Sequence, residues 1–415
     1  MRIGIIGLGY VGLPLAVAFG EAGHAVSGYD TDSRRVDRLA AGESDIEDVP
    51  SELLAGLGDA FEPSTDPAAL GRCDAVIICV PTPLSNQREP DLSYITGSAQ
   101  TLAGILREGQ TVVLESTTYP GTTRDHLQPL LEESGLRAGR DFHLAYSPER
   151  IDPGRTDHTV ANTPKVVGGI TPECTSRAAE VYGLICDEVV ELSSPEAAEL
   201  SKLLENIFRS VNIALVNELS QLTDRLGIDI WEVIDAASTK PFGFMRFEPG
   251  PGMGGHCLPI DPFYLAFKAR EHDFYTEFVE LAGKINQSHP LFCVRKIERA
   301  LNGVGKSAKG SRILILGVSY KAGVADLREA PALKIMRSLS DLGADLSYHD
   351  PLVGELPELG LSSVDLAPAV AAADLVAIVT AHPGVDHAAV VSKAALLVDF
   401  RGVTRGIEAP NLVRL

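Results

Sequence analysis

The chain has 415 residues, 45% of them hydrophobic, a length that calls for two or three domains and a composition that can fill sizeable cores. Its formal net charge of −20, from 56 acidic residues against 36 Lys and Arg, excludes phosphate-backbone binding as a main role, so no nucleic-acid partner is expected. The six cysteines, Cys73, Cys79, Cys174, Cys186, Cys257 and Cys293, form no CxxC pair, so no zinc site, redox motif or other metal site is expected. Cys73 and Cys79 read as core residues, and the set suits a reducing cytoplasm. No run reaches the apolar length of a membrane span, and Met1 leads into a strand pattern without a cationic leader, so no membrane association is expected.

In chain order, short apolar runs at 2–6, 25–29, 75–79, 111–115 and 143–146 alternate with amphipathic stretches. Strand–helix alternation of this kind predicts a parallel, doubly wound sheet over residues 1–192. Ser193-Ser194-Pro195-Glu196 then gives a helix start, with hydroxyl caps and a Pro near the first helical position. From there to about residue 225, Leu200, Leu203, Leu204, Ile207, Val211, Leu215 and Leu219 recur at helical spacing. A helix of about 30 residues spans roughly 45 Å. That length suits a spine between lobes or across a dimer, so residues 193–302 are expected to form a helical central domain on which a homodimer is built.

Residues 302–311, with Gly303, Gly305 and Gly310, read as a linker. Strands at 312–316, 345–349, 373–380 and 395–400 and a helix at 332–342 restart the α/β pattern over 303–415. The expected fold class is thus α/β, with two Rossmann-like, doubly wound lobes joined by a helical central domain that carries a long spine helix.

Gly7-Leu8-Gly9-Tyr10-Val11-Gly12 matches GxGxxG, follows the first strand and opens an apolar helix at 13–22. In that context the motif is a dinucleotide fingerprint. Gly7 permits the tight turn, Gly9 lets the backbone approach a pyrophosphate, and Gly12 lets the helix pack on the strand. The helix N-terminus, with Tyr10 and Val11, supplies amide donors to the anion. The next strand ends at Asp30, whose carboxylate suits ribose hydroxyls and repels a 2′-phosphate, so NAD is the expected cofactor. Arg34 and Arg35 follow, and an arginine can hold a 2′-phosphate, which leaves NADP as the second cofactor; Arg35 joins that site.

The segment 250–262, GPGMGGHCLPIDP, places Cys257 in a glycine-rich loop. A cysteine in a polar loop is a candidate nucleophile. This segment, with GLGYVG at 7–12, CVPTP at 79–83, ESTTYPGTT at 115–123, SPER at 147–150, KLLEN at 202–206 and YKAGVADLREAP at 320–331, resembles the UDP-glucose/GDP-mannose dehydrogenase family. The motifs stand in family order and cover nearly the whole chain. The resemblance implies two successive oxidations of the C6 alcohol of a UDP-sugar, to aldehyde and then acid, with two NAD consumed. An aldehyde gives up a second hydride only as a tetrahedral adduct, which a thiolate supplies as a thiohemiacetal; the resulting thioester is hydrolysed by water.

The same resemblance implies roles for single residues. Cys257 is the nucleophile. Lys202 and Asn206, four apart on one helix face, stabilise the alkoxide or oxyanion. Asp261 holds Lys202 and a water, Glu149 is the general base in thioester hydrolysis, and Thr117 orients that water or the reacting oxygen. Thr82 joins the cofactor site, and Arg328 is a cofactor contact across the cleft. Arg150, Gly252, Gly254, Lys321 and Arg401 join Glu149, Lys202 and Asn206 in contacting the nucleotide-sugar. Taken alone, the Lys202/Asn206 pair reads as a solvated helix face, Glu149 beside Arg150 as a surface pair, and Arg401 as a surface arginine.

Residues 239–245 and 90–94 resemble the branch acting on UDP-N-acetylhexosamines, with the UDP-N-acetylglucosamine 6-dehydrogenases nearest. Arg246 and Glu248 depart from that branch beside the expected sugar pocket, which leaves UDP-glucose as the second substrate. A non-catalytic, cofactor-binding regulator is the alternative of a different class, although Cys257, Lys202 and Glu149 are all present.

Overall fold

The computed structural model of the chain describes residues 1–44, 46, 49–85, 89–151, 157–255 and 258–415. Two compact units result: Met1–Glu205 with Phe263–Tyr275, and Asn206–Pro262 with Thr276–Leu415.

The first unit is built on an eight-stranded sheet. Its strands are β1 (Arg2–Ile6), β2 (Ala25–Tyr29), β3 (Phe61–Ser64), β4 (Ala75–Ile78), β5 (Thr111–Leu114), β6 (His143–Tyr146), β7 (Lys165–Gly169) and β8 (Val189–Leu192). They lie in the order β3-β2-β1-β4-β5-β6-β7-β8. All neighbours are parallel except β6 and β7. β1, β4 and β5 are apolar along nearly their whole length because helices cover both faces of a parallel sheet. Helix starts follow local chemistry. Asp32 accepts the amide of Arg34 at the head of Ser33–Ala40, and Thr171 accepts that of Cys174 ahead of Pro172–Tyr182, which opens on a Pro.

The second unit centres on a five-stranded parallel sheet of β9 (Arg312–Leu316), β10 (Asp345–His349), β13 (Leu375–Ile378), β14 (Leu397–Asp399) and β15 (Leu412–Arg414). Its order is β10-β9-β13-β14-β15, and the short pair β11 (Glu355–Leu356) and β12 (Leu361–Ser362) stands apart. Helix Pro331–Asp341 covers one face, together with the helix Glu277–Gly303 and the tryptophan-bearing helix Ile230–Ser238, around Trp231, Ile297, Ile335 and Phe400.

The expected spine is a single helix, Pro195–Leu226, of 32 residues. The chain passes from the first unit to the second at Glu205–Asn206, within this helix. The apolar positions on it divide into two faces. Leu203 and Ile207 are buried, whereas Leu200, Leu204, Leu215 and Leu219 are exposed.

Several expectations need correction. The strands expected at 75–79, 111–115, 373–380 and 395–400 are shorter, since Cys79, Glu115 and Thr380 lie in the loops beyond the strand ends. The stretch expected as a linker from Asn302 begins later: Asn302 and Gly303 are the last turn of the 27-residue helix Glu277–Gly303, which tolerates Pro290 inside it. Cys73 and Cys79 are buried, as core residues should be. Among the described residues, no helix is long and apolar enough to cross a membrane.

Candidate active site

In the first unit, the three fingerprint glycines play different parts. Gly7 has φ +90°, and a Cβ there would stand 2.7 Å from the Cys79 carbonyl oxygen. A Cβ on Gly12 would stand 1.9 Å from the Gly7 carbonyl oxygen, so both positions are closed by the protein itself. A Cβ on Gly9 would meet no atom within 4 Å, so the open side of the turn lies at Gly9, where the helix Gly12–Glu21 begins. Tyr10 is exposed and Val11 partly so. This cradle fits a pyrophosphate at a helix N-terminus.

Asp30 is buried at the end of β2. Its Oδ2 accepts the Leu8 amide at 2.9 Å and Arg35 at 3.1 Å, and its Oδ1 accepts the Asp32 amide at 2.9 Å. Arg35 is therefore held by Asp30. The carboxylate that suits a ribose also ties the glycine turn to the second strand.

Thr82 donates its hydroxyl to the Thr117 carbonyl at 2.7 Å and accepts the Tyr264 hydroxyl on its own carbonyl at 2.5 Å. Thr117 is half-buried in the loop after β5. Glu149, in the loop after β6, is not a surface residue. Its Oε1 accepts the Ile151 amide at 2.5 Å, and its backbone carbonyl accepts the ammonium of Lys202, itself buried. The ammonium of Lys165 and the Ile151 amide hold its carboxyl below the usual range against the cost of burial. Arg150 donates to the Pro164 carbonyl at 2.6 Å and pairs with Glu205 at 2.7 Å.

Sequence reasoning assigned nothing to Glu115, Lys165, Tyr182 or Glu199. Glu115 is buried with both oxygens engaged, by Lys165 and by the Tyr182 hydroxyl. Burial pushes its carboxyl up to about 7. Glu199, on the spine helix, accepts the amides of Gly121 and Thr123 at 2.6 and 2.8 Å and so fixes the TTYPGTT loop. The available signal was a charged residue opening the apolar run Lys165-Val166-Val167, which an exposed strand end also explains.

In the second unit, Asn206 donates to Asp261 Oδ2 at 2.5 Å, and both residues are buried. The segment ahead of Cys257 is fixed by backbone and amide contacts. The Gly250 amide donates to Asn217 Oδ1 at 3.0 Å, Asn217 donates to Asn286 at 3.2 Å, and Asn286 donates to the Ser210 carbonyl at 3.0 Å. Gly252 has φ +132°, and a Cβ on Gly254 would stand 2.8 Å from the Tyr320 Cβ. These glycines let the loop press against its own chain, where the sequence suggested approach to a ligand. His256 and Cys257 lie outside the described residues.

Arg328 makes a two-pronged pair with Asp326, at 2.9 and 2.5 Å, within its own loop, and its carbonyl accepts the Gly255 amide at 2.9 Å. Lys321 stands partly exposed in that same loop, and its carbonyl accepts the Ser319 hydroxyl at 2.8 Å. Arg401 is not a surface arginine: its Nε donates to the Val379 carbonyl at 2.7 Å, and a Cβ on Gly250 would lie 2.9 Å from its Nη1. Arg246 is taken up by Asp235 at 2.7 Å and Glu248 at 3.0 Å.

Three family descriptions match in succession: the NAD binding domain of the UDP-glucose/GDP-mannose dehydrogenase family at residues 1–185, its central domain at 196–288 and its UDP binding domain at 314–406. The chain is 35% identical over 388 residues to a UDP-N-acetyl-D-glucosamine 6-dehydrogenase of Pseudomonas aeruginosa, covering 92% of this chain and 90% of that protein. The solved UDP-D-ManNAc dehydrogenase of Pyrococcus horikoshii superposes with a TM-score of 0.91 at 32% identity, over 100% of this chain and 99% of that one. A UDP-glucose dehydrogenase from the archaeon Pyrobaculum islandicum superposes with a TM-score of 0.89 at 28% identity, over 99% and 96%. The glycine turn, the paired Asn206 and Asp261 and the agreement over all three parts lead to one conclusion: the chain is an oxidoreductase of the UDP-glucose/GDP-mannose dehydrogenase family, with NAD as its cofactor.

Proposed function

We propose that the chain oxidises the C6 alcohol of a UDP-N-acetylhexosamine to the carboxylate in two steps, through a covalent intermediate on Cys257. The observation that carries the site assignment is the burial of Lys202, Asn206 and Asp261 in specific polar pairs. Buried polar groups held this way are preorganised, whereas a solvated helix face leaves them free to move. The N-acetylhexosamine preference rests on the Pseudomonas and Pyrococcus relatives and on residues 239–245 and 90–94. The superposition on a UDP-glucose enzyme means that the fold alone does not choose the sugar.

NAD supplies the hydride acceptor in each oxidation. Lys202 and Asn206 stabilise the oxygen as it becomes an alkoxide, its proton passing to a water held by Asp261, which also orients the Asn206 amide. The Cys257 thiolate adds to the aldehyde carbon, and loss of the second hydride leaves a thioester. Glu149 takes a proton from the attacking water as the C–S bond breaks, and Thr117 orients that water. The balance is one alcohol, two NAD and one water to one carboxylate, two NADH and three protons. Gly7, Gly9, Tyr10, Val11, Gly12, Asp30, Arg35, Thr82 and Arg328 serve the cofactor; Arg150, Gly252, Gly254, Lys321 and Arg401 serve the nucleotide-sugar.

The assignment extends to three domains at 1–192, 193–302 and 303–415, and to a homodimer through the spine helix. Phe208, Leu215, Leu219, Leu222 and Leu226 are all exposed on that helix at heptad-like spacing, the pattern of a helix seam. The described cysteines, Cys73, Cys79, Cys174, Cys186 and Cys293, are free thiols, which supports a cytoplasmic location.

The test is NADH formed per sugar consumed, across UDP-GlcNAc, its epimers, UDP-glucose and GDP-mannose. Two NADH per UDP-N-acetylhexosamine is expected. Turnover of UDP-glucose alone overturns the substrate, and one NADH per sugar overturns the double oxidation. Absence of turnover with the whole panel points to a rarer nucleotide-sugar or to a regulatory protein.

A further inference from the structure

Beside Glu149 in the first unit lies a buried cluster of ionisable groups, Glu115, Lys165 and Tyr182, that has no part in the chemistry above. Cys79 follows β4, Glu115 follows β5 and Glu149 follows β6, so all three sit at one edge of the sheet. Because β7 runs antiparallel to β6, it is the start of β7 that reaches this same edge. The register pairs Ala145 with Gly169 and Tyr146 with Gly168; continued outward, it sets Lys165 opposite Glu149. The Lys165 ammonium bonds to Glu115 Oε1 and stands 4.0 Å from Glu149 Oε2. The Tyr182 hydroxyl donates to the other Glu115 oxygen, and the Tyr182 ring centroid lies 4.9 Å from the Lys165 nitrogen. Lys165 is 5% exposed, Glu115 1% and Tyr182 0%.

A buried ammonium is costly unless charges and donors compensate it, and here two carboxylates and an aromatic face do so. We propose that Lys165 is a positioning residue for Glu149, clamped in place by Glu115 and Tyr182 so that its charge orients the Glu149 carboxylate and keeps it anionic for thioester hydrolysis. This inference rests on the reading of Glu149 as the base in the preceding subsection.

The groups that face Glu149 and Lys165 fit that arrangement. From β4, the Cys79 thiol is pushed well up by burial and is neutral; from the helix Pro172–Tyr182, the Tyr182 phenol is pushed up likewise. Cys186 is pushed up to about 11 by burial. Lys202, from the spine helix, spends its ammonium on the Glu149 backbone carbonyl. Glu115, its carboxyl pushed up by burial, is engaged on one oxygen by Lys165 and on the other by the Tyr182 hydroxyl. Lys165 is the larger of the two cationic influences on the Glu149 carboxyl, with Lys202 adding to it. A proton on Glu149 would disable it as the acceptor of a water proton.

The experiment separates NADH formation from acid release in single turnovers of the whole enzyme with its UDP-sugar, across pH, for Lys165→Met, Lys165→Arg, Lys165→Met with Glu115→Gln, and Glu149→Gln. Lys165→Met is expected to form the first NADH at the wild-type rate. Its acid-release limb should move up by about one pH unit, so that release is about tenfold slower on that limb. Lys165→Arg keeps the cation and should restore the wild-type limb. The double variant, which removes cation and partner carboxylate together, should fold and still carry the shifted limb. An unshifted limb in the double variant, while Glu149→Gln is impaired in acid release, overturns the role of Lys165. Wild-type acid release from Glu149→Gln overturns instead the assignment of Glu149 on which it rests.

Discussion

The Tyr264 hydroxyl donates to the backbone carbonyl of Thr82 at 2.5 Å, and Thr82 passes its own hydroxyl to the carbonyl of Thr117 at 2.7 Å. Tyr264 is fully buried on the helix Asp261–Arg270, which begins just after the cysteine loop. The chain of bonds therefore ties the residues that follow that loop to two loops of the nucleotide-binding sheet. Tyr264→Phe keeps the ring and removes the donor, leaving a buried carbonyl short of a partner at a cost of about 1–3 kcal/mol. The expected result is a lower melting temperature and a KM for NAD raised about fivefold or more, with kcat changed less. A lower melting temperature with unchanged kinetics would make the bond purely structural.

A buried histidine supplies a pH dependence. His289, on the helix Glu277–Gly303, is fully buried and bonded to Gln221 at 3.2 Å. Burial pushes its imidazole down to about 4 from an ordinary 6.5. The unfolded chain gains this proton below 6.5, whereas the folded chain takes it up only near 4. Stability from the neutral ring is thus complete above 6.5 and is lost as pH falls through that window, by about 2 kcal/mol at pH 5. Melting curves at pH 7 and 5 should show a smaller acid loss in His289→Gln than in the wild type. Equal acid losses in both proteins would mean that another group sets the slope.

Much of this was legible because the decisive signals are local. The glycine turn after β1 and the acid ending β2 can be read from neighbouring residues, and β1, β2, β6, β9 and β10 have the expected bounds. In the first sheet, the strands that the sequence did not signal lack such a pattern. β3 contains Pro63, β7 opens on Lys165 and closes on two glycines, and β8 is half exposed on the pattern Val-Val-Glu-Leu. Missing β7 also hid the buried cluster. Glu115, Lys165 and Tyr182 come from distant segments, and only the antiparallel turn of β7 brings them to one edge. A lone charged residue in an apolar run reads as a strand end unless its partners are known.

The dimer proposed on the spine helix makes a direct prediction. Leu219 and Leu226 are 39% and 60% exposed, and with Leu215 and Leu222 they form an apolar seam. A carboxylate placed in such a seam opposes its own copy across a two-fold axis. Leu219→Glu with Leu226→Glu should convert a dimer into a monomer at micromolar concentration without lowering the melting temperature of the protomer's own cores. Light scattering reads the mass. A wild-type monomer, or a double variant that stays dimeric, would remove the spine helix as the interface.

Gly9 and Gly12 separate folding from cofactor binding. A methyl group on Gly12 would meet the Gly7 carbonyl oxygen at 1.9 Å, so Gly12→Ala must push the first helix off the sheet. Its melting temperature should fall even without NAD. A methyl group on Gly9 would meet nothing within 4 Å, and alanine there restricts the unfolded chain, so the protein without NAD should melt at or slightly above the wild-type temperature. The space at Gly9 is where the backbone must approach the pyrophosphate. Gly9→Ala should therefore lose the NAD-induced rise in melting temperature, which for a wild type at a hundred times its Kd reflects about 2.7 kcal/mol of stabilisation. Two melting curves per variant, with and without NAD, decide the matter. A Gly9→Ala protein that keeps the full NAD shift would place the pyrophosphate elsewhere than on this turn.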